Sequence, residues 1–236
     1  MPDIIFQDGK IYSVEPPEKN FQYQDNGDRW GNTRIKFEFD SLTVECILKQ
    51  IAPQVLPKTI AVLLNNQLVG IKKRVTENSS LHVILSDDKQ GRVLSHYVYT
   101  FLIMKYVYEK SNYSANVLEV RYSEENFECF IKTDSFVSKD GLYNWLYDKI
   151  TAGESILYMD QYQKARALEL YPSIQQPYVQ DVLNNVDEYE FLDLIVFDGF
   201  ALMSEFPISL SLSCIKMLKT LIIEGTENNL KIWGAV

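Results

Sequence analysis

Apolar side chains recur at three- and four-residue intervals between residues 92 and 110, the longest helix-like stretch that contains neither Gly nor Pro. This spacing predicts a helix with one apolar stripe. The stripe is formed by Val93, Tyr97, Thr100, Phe101, Met104, Val107 and Tyr108. Because the stretch is more apolar than a surface helix requires, we predict a central buried helix. Its more polar side is then formed by Ser95, His96, Lys105 and Glu109.

The first residues predict a β-hairpin followed by an inserted loop. Residues 3–14 hold two short apolar runs around Asp8-Gly9, a dipeptide that favours tight hairpin turns. Residues 15–33 are rich in Pro, Gly, Asn and Asp and lack periodicity, which indicates a surface loop. Tyr23 and Trp30 in this loop have two possible roles. Their side chains either anchor the loop to its own domain or contact a partner.

One helix and several strands follow in an order typical of a small mixed sheet. The predicted elements are a strand at 35–39, a helix at 42–51, two strands around Asn65-Asn66 and a strand at 81–86. Asp40 or Ser41 is suited to cap the helix. A hairpin, a helix and further strands in this order indicate a β-grasp domain. The polar residues 87–91 mark its end, so we place the first domain at residues 1–88.

Strands and short helices alternate after the central helix. The predicted strands are 117–122, 127–132, 156–158, 191–197, 208–212, 217–223 and 230–233. The predicted helices are one that follows a Ser138 cap, one at 161–170 and a short one at 179–186. Two helices against an antiparallel sheet account for residues 89–236, and the whole chain is predicted to be α+β.

Composition restricts the partners of the protein. The 236 residues are 46% hydrophobic, which is enough for a sizeable core, and they carry a net charge of −9. This charge argues against a surface that binds nucleic acid throughout, because phosphate contacts need clustered basic residues. Lys72, Lys73 and Arg74 form one local basic run. The run either contacts RNA phosphate or is a solvated hairpin edge.

The sequence predicts neither a metal site nor a bound cofactor. Cys46, Cys129 and Cys214 are scattered without the spacing of a zinc site or a disulfide framework. No Gly-rich phosphate loop occurs. The first residues do not resemble a signal peptide or presequence, and no apolar run reaches the length of a membrane span. We therefore expect a soluble protein with three free thiols.

Several segments, in this order, resemble the amino-terminal half of threonyl-tRNA synthetases. IIFQDGK, SLTVECILKQI and AVLLNNQLVGIKKRVTENSSLHVIL resemble the TGS domain of that family, which is of β-grasp type. YQKARALEL and ISLSLSCIKMLKTLIIEGTENNLKIWGAV resemble the editing domain that removes mischarged serine. The resemblance covers nearly all of the chain. It implies a TGS-like domain at residues 1–88 and an editing-like domain at residues 89–236.

The editing site of the family uses His-x-x-x-His on the helix that opens the domain. Histidine suits that chemistry because it orients water and exchanges protons near neutral pH. Alignment to the family without a gap from Gly91 places Tyr97 and Phe101 at the two histidine positions. A shift by one residue places His96 and Thr100 there instead. Neither alignment restores the pair of histidines.

The second motif of the family, Cys-x-x-x-His, is also altered. Alignment backward from Lys219-Thr220 places Ala201 and Glu205 at these two positions. The resemblance therefore implies that the editing residues are lost, so no catalytic residue is assigned. A new acid/base pair of His96 and Glu205 stays an open alternative. Since the sequence ends at residue 236, we also expect no synthetase domain and no threonine activation.

These considerations predict a non-catalytic scaffold. The resemblance extends in domain order to threonyl-synthetase-like components of the mitochondrial large ribosomal subunit. It implies proteins of a large assembly as partners, with at most a peripheral RNA contact, and a location in the mitochondrion or, alternatively, in the cytoplasm. The alternatives are a free-standing deacylase of mischarged threonine tRNA and a TGS-type module that binds RNA or a small ligand.

Overall fold

The computed structural model describes residues 3–7, 9–13, 42–152, 156–206, 210–226 and 228–236. The predicted loop at 15–33 with Tyr23 and Trp30, and the predicted strand at 35–39, lie outside these residues. The described part combines helices with several largely antiparallel sheets, so the predicted α+β class is confirmed.

The first sheet has five strands and is crossed by one helix. Its strands are β1 (Asp3–Phe6), β2 (Ile11–Ser13), β3 (Thr59–Leu64), β4 (Gln67–Val69) and β5 (Ser79–Leu85). They lie in the order β2-β1-β5-β3-β4, with β1 parallel to β5 and the other neighbours antiparallel. The predicted turn between β3 and β4 is confirmed, because Asn65 and Asn66 adopt φ angles of 50° and 66°.

The first helix is capped later in the chain than its sequence suggested. Helix α1 spans Val44–Ile51, and the Thr43 hydroxyl, rather than Asp40 or Ser41, accepts the hydrogen bond from the amide of Cys46. Val44, Ile47 and Leu48 on this helix are buried against the first sheet. This packing fixes the helix on one face of the sheet.

The central helix lies between two further sheets. Helix α2 spans Lys89–Lys110, as the apolar stripe predicted. The second sheet consists, in spatial order, of β12 (Thr220–Thr226), β13 (Asn229–Ala235), β7 (Phe127–Lys132) and β6 (Asn116–Tyr122). The third consists of β10 (Phe200–Met203), β9 (Phe191–Phe197), β8 (Ile156–Gln163) and β11 (Leu210–Ser211). The sequence predicted one antiparallel sheet in this part of the chain, whereas the structure has two. They are separate because β10 pairs with β9 of the third sheet and not with a strand of the second.

The predicted polar side of α2 is confirmed for Glu109, which is exposed, but it is wrong for the other three residues. Ser95, His96 and Lys105 are buried, because sheets cover the helix on both sides and each polar group finds a partner inside. The Lys105 ammonium donates to the carbonyl of Asp198 at 2.9 Å and pairs with the Glu109 carboxylate. Among the described residues, no buried side-chain nitrogen or oxygen lacks a hydrogen-bond partner.

Three shorter helices complete the second half. Helix α3 (Lys139–Thr151) is capped by Ser138 as predicted, and it buries Leu142, Leu146 and Ile150. Helices α4 (Lys164–Leu170) and α5 (Gln180–Asn184) cover the outer face of the third sheet. The predicted strand 156–158 in fact continues to Gln163, and the predicted helix 161–170 begins only at Lys164, because residues 158–163 pair with β9.

The start of α2 passes close to the first sheet. A Cβ atom on Gly91 would lie 1.8 Å from the carbonyl oxygen of Leu85, so only glycine permits this approach. Ile60, Ala61 and Ile84 of the first sheet share a hydrophobic cluster with α2. The domain division at residue 88 stays a prediction. No helix among the described residues is long and apolar enough to cross a membrane.

Candidate functional site

The positions aligned with the editing motif converge in part on one place beside α2. Tyr97 and Phe101 lie one turn apart on this helix and face the segment after β10, which carries Glu205. Tyr122 of β6 and Tyr178 approach from the other side. We call Tyr97, Tyr122, Tyr178, Glu205 and Phe206 the tyrosine cluster.

Hydrogen bonds and ring contacts hold the tyrosine cluster together. The Tyr122 hydroxyl donates to the Glu205 carboxylate, and the Glu205 amide donates to the Tyr97 hydroxyl at 3.1 Å. The Tyr97 ring meets the rings of Tyr122 and Phe206 edge-on, with centroids 5.5 Å and 5.1 Å apart. The carboxylate of Glu205 is therefore engaged by a protein donor.

The tyrosines of the cluster do not ionise near neutral pH, so none of them supplies a phenolate that could act as a base. Burial raises the pKa of Tyr97, and it is also the main cause that raises the pKa of Tyr178. Burial and the hydrogen bond to Glu205 together raise the pKa of Tyr122. All three hydroxyls stay protonated at neutral pH, so they donate and accept hydrogen bonds but do not remove a proton from water.

The space that remains inside the cluster is very small. A cavity of about 10 Å³ is bounded by nine side chains. They are Tyr97, Thr100, Phe101, Met104, Val120, Tyr178, Leu202, Met203 and Glu205. This volume holds about one water molecule. The arrangement can position a water, but it has no room for an aminoacyl ester.

Of the other aligned positions, Thr100 also borders the cavity, whereas His96 and Ala201 have their partners elsewhere. The His96 ring donates from Nδ1 to the Ser123 carbonyl at 2.7 Å and accepts at Nε2 from the Val236 amide at 3.3 Å. Ala201 is buried against Ser173, whose hydroxyl donates to the Ala201 carbonyl. His96 and Glu205 therefore have separate hydrogen-bond partners, and the structure does not bring them together as an acid/base pair.

The predicted RNA-contact residues lie on the loop between β4 and β5. Lys72, Lys73 and Arg74 are exposed, but Lys72 pairs with Glu45 of α1. This pair leaves Lys73 and Arg74 as the more available charges of the run. Tyr23 and Trp30, the predicted partner contacts, are outside the described residues.

The described cysteines do not form a reactive or metal-binding site. Cys129 and Cys214 are buried, and burial raises the pKa of Cys214 to about 12. All three thiols are free. Within the described ranges, no three His, Cys, Asp or Glu side chains lie close enough together to hold a metal ion.

A larger groove lies at the open end of the second sheet. It has a volume of about 790 Å³ and runs between the loop that precedes α3 and the β12–β13 hairpin. Phe136 stands at its wall and is 89% exposed. Asp134, Lys139 and Glu224 line the groove with charges of both signs, which does not favour a ligand of either charge.

Sequence reasoning missed Tyr122 and Tyr178 as members of the site. Tyr122 follows the inward alternation of β6 after Val120, a signal that was present in the sequence. Tyr178 belongs to a 3-10 turn, Pro177–Val179, and nothing local indicates where its ring points.

Searches of protein-family models and of curated proteins find no match for this chain.

Proposed function

We propose that the protein is a non-catalytic scaffold module with the architecture of the amino-terminal half of a threonyl-tRNA synthetase. The strand order β2-β1-β5-β3-β4, with α1 across the sheet, supports a β-grasp domain of TGS type. The helix α2, held between two four-stranded sheets, occupies the position of the helix that opens the editing domain in this proposal.

The filled cleft beside α2 carries the proposal. The two aligned positions Tyr97 and Phe101 and the aligned Glu205 border the same cavity, as residues descended from one site would. Large aromatic side chains occupy the space that an aminoacyl ester would need. The hydroxyl of Tyr122 engages the carboxylate of Glu205, which faces this space. The residues that replace the histidines thus close the cleft.

The chemistry of these residues also favours a structural role. Hydrolysis of an aminoacyl ester needs a group that takes a proton from water near neutral pH. The phenols of the cluster remain protonated, because burial raises the pKa of Tyr97 and contributes most to the raised pKa of Tyr122. Edge-on ring contacts stabilise the packing instead. We infer that the former site now holds α2 against β6 and β10.

A deacylation assay with threonine tRNA that has been mischarged with serine tests this proposal. We expect hydrolysis by the purified protein to equal the rate in buffer, with an active editing domain as the positive control. Hydrolysis that is lost in Glu205→Gln would identify the tyrosine cluster as a working site and overturn the proposal. Hydrolysis that is lost only in His96→Ala would overturn it in favour of the alternative base.

The partners that we propose are proteins of a large assembly, with the mitochondrial large ribosomal subunit as the most concrete case. The net charge of −9 favours contact with basic proteins over extended contact with RNA. Lys73 and Arg74 are exposed and allow a peripheral RNA contact at most. A location in the mitochondrion follows from this proposal and depends on it.

A further inference from the structure

Residues 187–193, which we call the acidic aromatic loop, comprise the turn before β9 and the first three residues of that strand. They comprise Asp187, Glu188, Tyr189, Glu190, Phe191, Leu192 and Asp193. Residues 180–193 contain five acidic and no basic residues, whereas the whole chain carries a net charge of −9. More than half of the net negative charge is therefore concentrated in this short part of the chain.

The two aromatic side chains of the loop are unusually exposed. Tyr189 is 80% exposed and Phe191 is 65% exposed, and they are separated by a single residue. Only Leu192 of the loop's apolar residues is buried, in the cluster under α4 and α5. Aromatic residues are enriched at protein interfaces, so two exposed rings this close together suit a contact surface.

None of the ion pairs within the described residues involves a carboxylate of the loop. Two of these carboxylates accept neutral hydrogen bonds: Glu190 from the Asp187 amide at 3.2 Å and Asp193 from the Gln161 side chain at 2.6 Å. Lys164 lies beside the loop, but its ammonium donates to the carbonyls of Leu183 at 2.6 Å and Val186 at 2.7 Å. This lysine supplies the hydrogen-bond donor for backbone carbonyls at the C-terminal end of α5. Lys164 therefore does not neutralise the carboxylates of the acidic aromatic loop.

Backbone hydrogen bonds hold the loop in one shape. The amide of Glu190 donates to the carbonyl of Asp187 at 3.1 Å, and the amides of Lys164 and Ala165 donate to Glu190 and Glu188 at 2.9 Å and 3.2 Å. Phe191 is paired with Gln163 across the third sheet. A loop fixed in this way loses little conformational freedom on binding.

We propose that the acidic aromatic loop binds an arginine-rich segment of a partner protein. A guanidinium group stacks on an aromatic face and donates paired hydrogen bonds to a carboxylate, and the loop alternates these two acceptors at Glu188, Tyr189, Glu190 and Phe191. Lysine stacks and pairs less well, and phosphate is repelled. This binding goes beyond the scaffold function and does not depend on it.

Fluorescence anisotropy with a labelled Gly-Arg repeat peptide tests the proposal. We expect the full chain to bind this peptide, and the double variant Tyr189→Ser, Phe191→Ser to bind it at least about tenfold more weakly. The matched control is Phe136→Ser, Tyr113→Ser, which removes two aromatic rings that are 89% and 67% exposed elsewhere. The control is expected to bind like the wild type.

A peptide in which lysine replaces every arginine separates stacking from simple charge attraction. We expect it to bind at least about threefold more weakly than the arginine peptide. Equal binding of the two peptides, equal loss in both double variants, or no binding of the arginine peptide would each overturn the proposal. Binding of a labelled uridine oligomer that the Tyr189→Ser, Phe191→Ser variant loses would overturn it in favour of RNA.

Discussion

Replacing Phe101 with Ala is expected to lower the free energy of unfolding by about 3–5 kcal/mol. The Phe101 side chain is 1% exposed and lies at the middle of α2. Its ring packs edge-on against Phe200 of β10, with centroids 5.3 Å apart. Truncation removes a large apolar surface and leaves a cavity between the helix and the third sheet.

Urea unfolding followed by circular dichroism measures this loss, and Phe136→Ala provides the matched control. Phe136 undergoes the same chemical change but is 89% exposed, so its variant is expected to differ from the wild type by at most about 0.5 kcal/mol. Equal stability of the Phe101→Ala and Phe136→Ala variants would contradict the central position that we assign to α2.

Acidification from about pH 7.5 to 5.5 is expected to destabilise the wild type more than the His96→Gln variant. Burial lowers the pKa of His96, the nearby Arg92 lowers it further, and the hydrogen bond to the Ser123 carbonyl offsets part of this effect. A proton added to the neutral ring would occupy Nε2, which accepts from the Val236 amide. Protonation therefore breaks a hydrogen bond inside the protein.

The sign of this effect follows from proton binding in the two states. As the pH falls, the histidine of the unfolded chain, with a pKa of about 6.5, binds the proton before that of the folded chain, so the contribution of His96 to stability is fully present above that pH. This contribution is lost as the pH falls from there through the lower pKa of the folded state. The loss is about 1.4 kcal/mol for each pH unit between the two pKa values. Gln does not titrate and supplies both a donor and an acceptor.

The free energy of unfolding is measured for both proteins at each pH. The difference between the wild type and His96→Gln isolates the contribution of His96. Glu124 also titrates near this region, but Arg92 and Lys89 lower its pKa, so it changes charge at more acidic pH. A difference between wild type and His96→Gln that is constant over this pH range would contradict the buried, neutral imidazole.

The elements that the sequence predicted well are those that local signals define. The apolar stripe of α2, the Ser138 cap of α3 and the Asn65-Asn66 turn depend on residues a few positions apart, and each is present in the structure. The boundary between β8 and α4 was placed too early, because Tyr and Gln alternate there without an apolar face and only pairing with β9 decides.

Long-range contacts explain what the sequence did not predict. Lys105 has the chemistry of a surface residue, yet a turn at Asp198, far along the chain, supplies its carbonyl partner in the interior. The same limit applies to the candidate site. The resemblance singled out Tyr97, Phe101 and Glu205 from the sequence, but only the fold brings them to one cavity with Tyr178.

We propose that this protein acts as part of a large assembly rather than as a catalyst. Sedimentation of the tagged native protein from a lysate of its source, at moderate salt, tests this claim most directly, with mass spectrometry of the fractions. We predict that the protein travels with large ribosomal subunits. A protein that stays at the top of the gradient, free of any larger complex, would contradict the account.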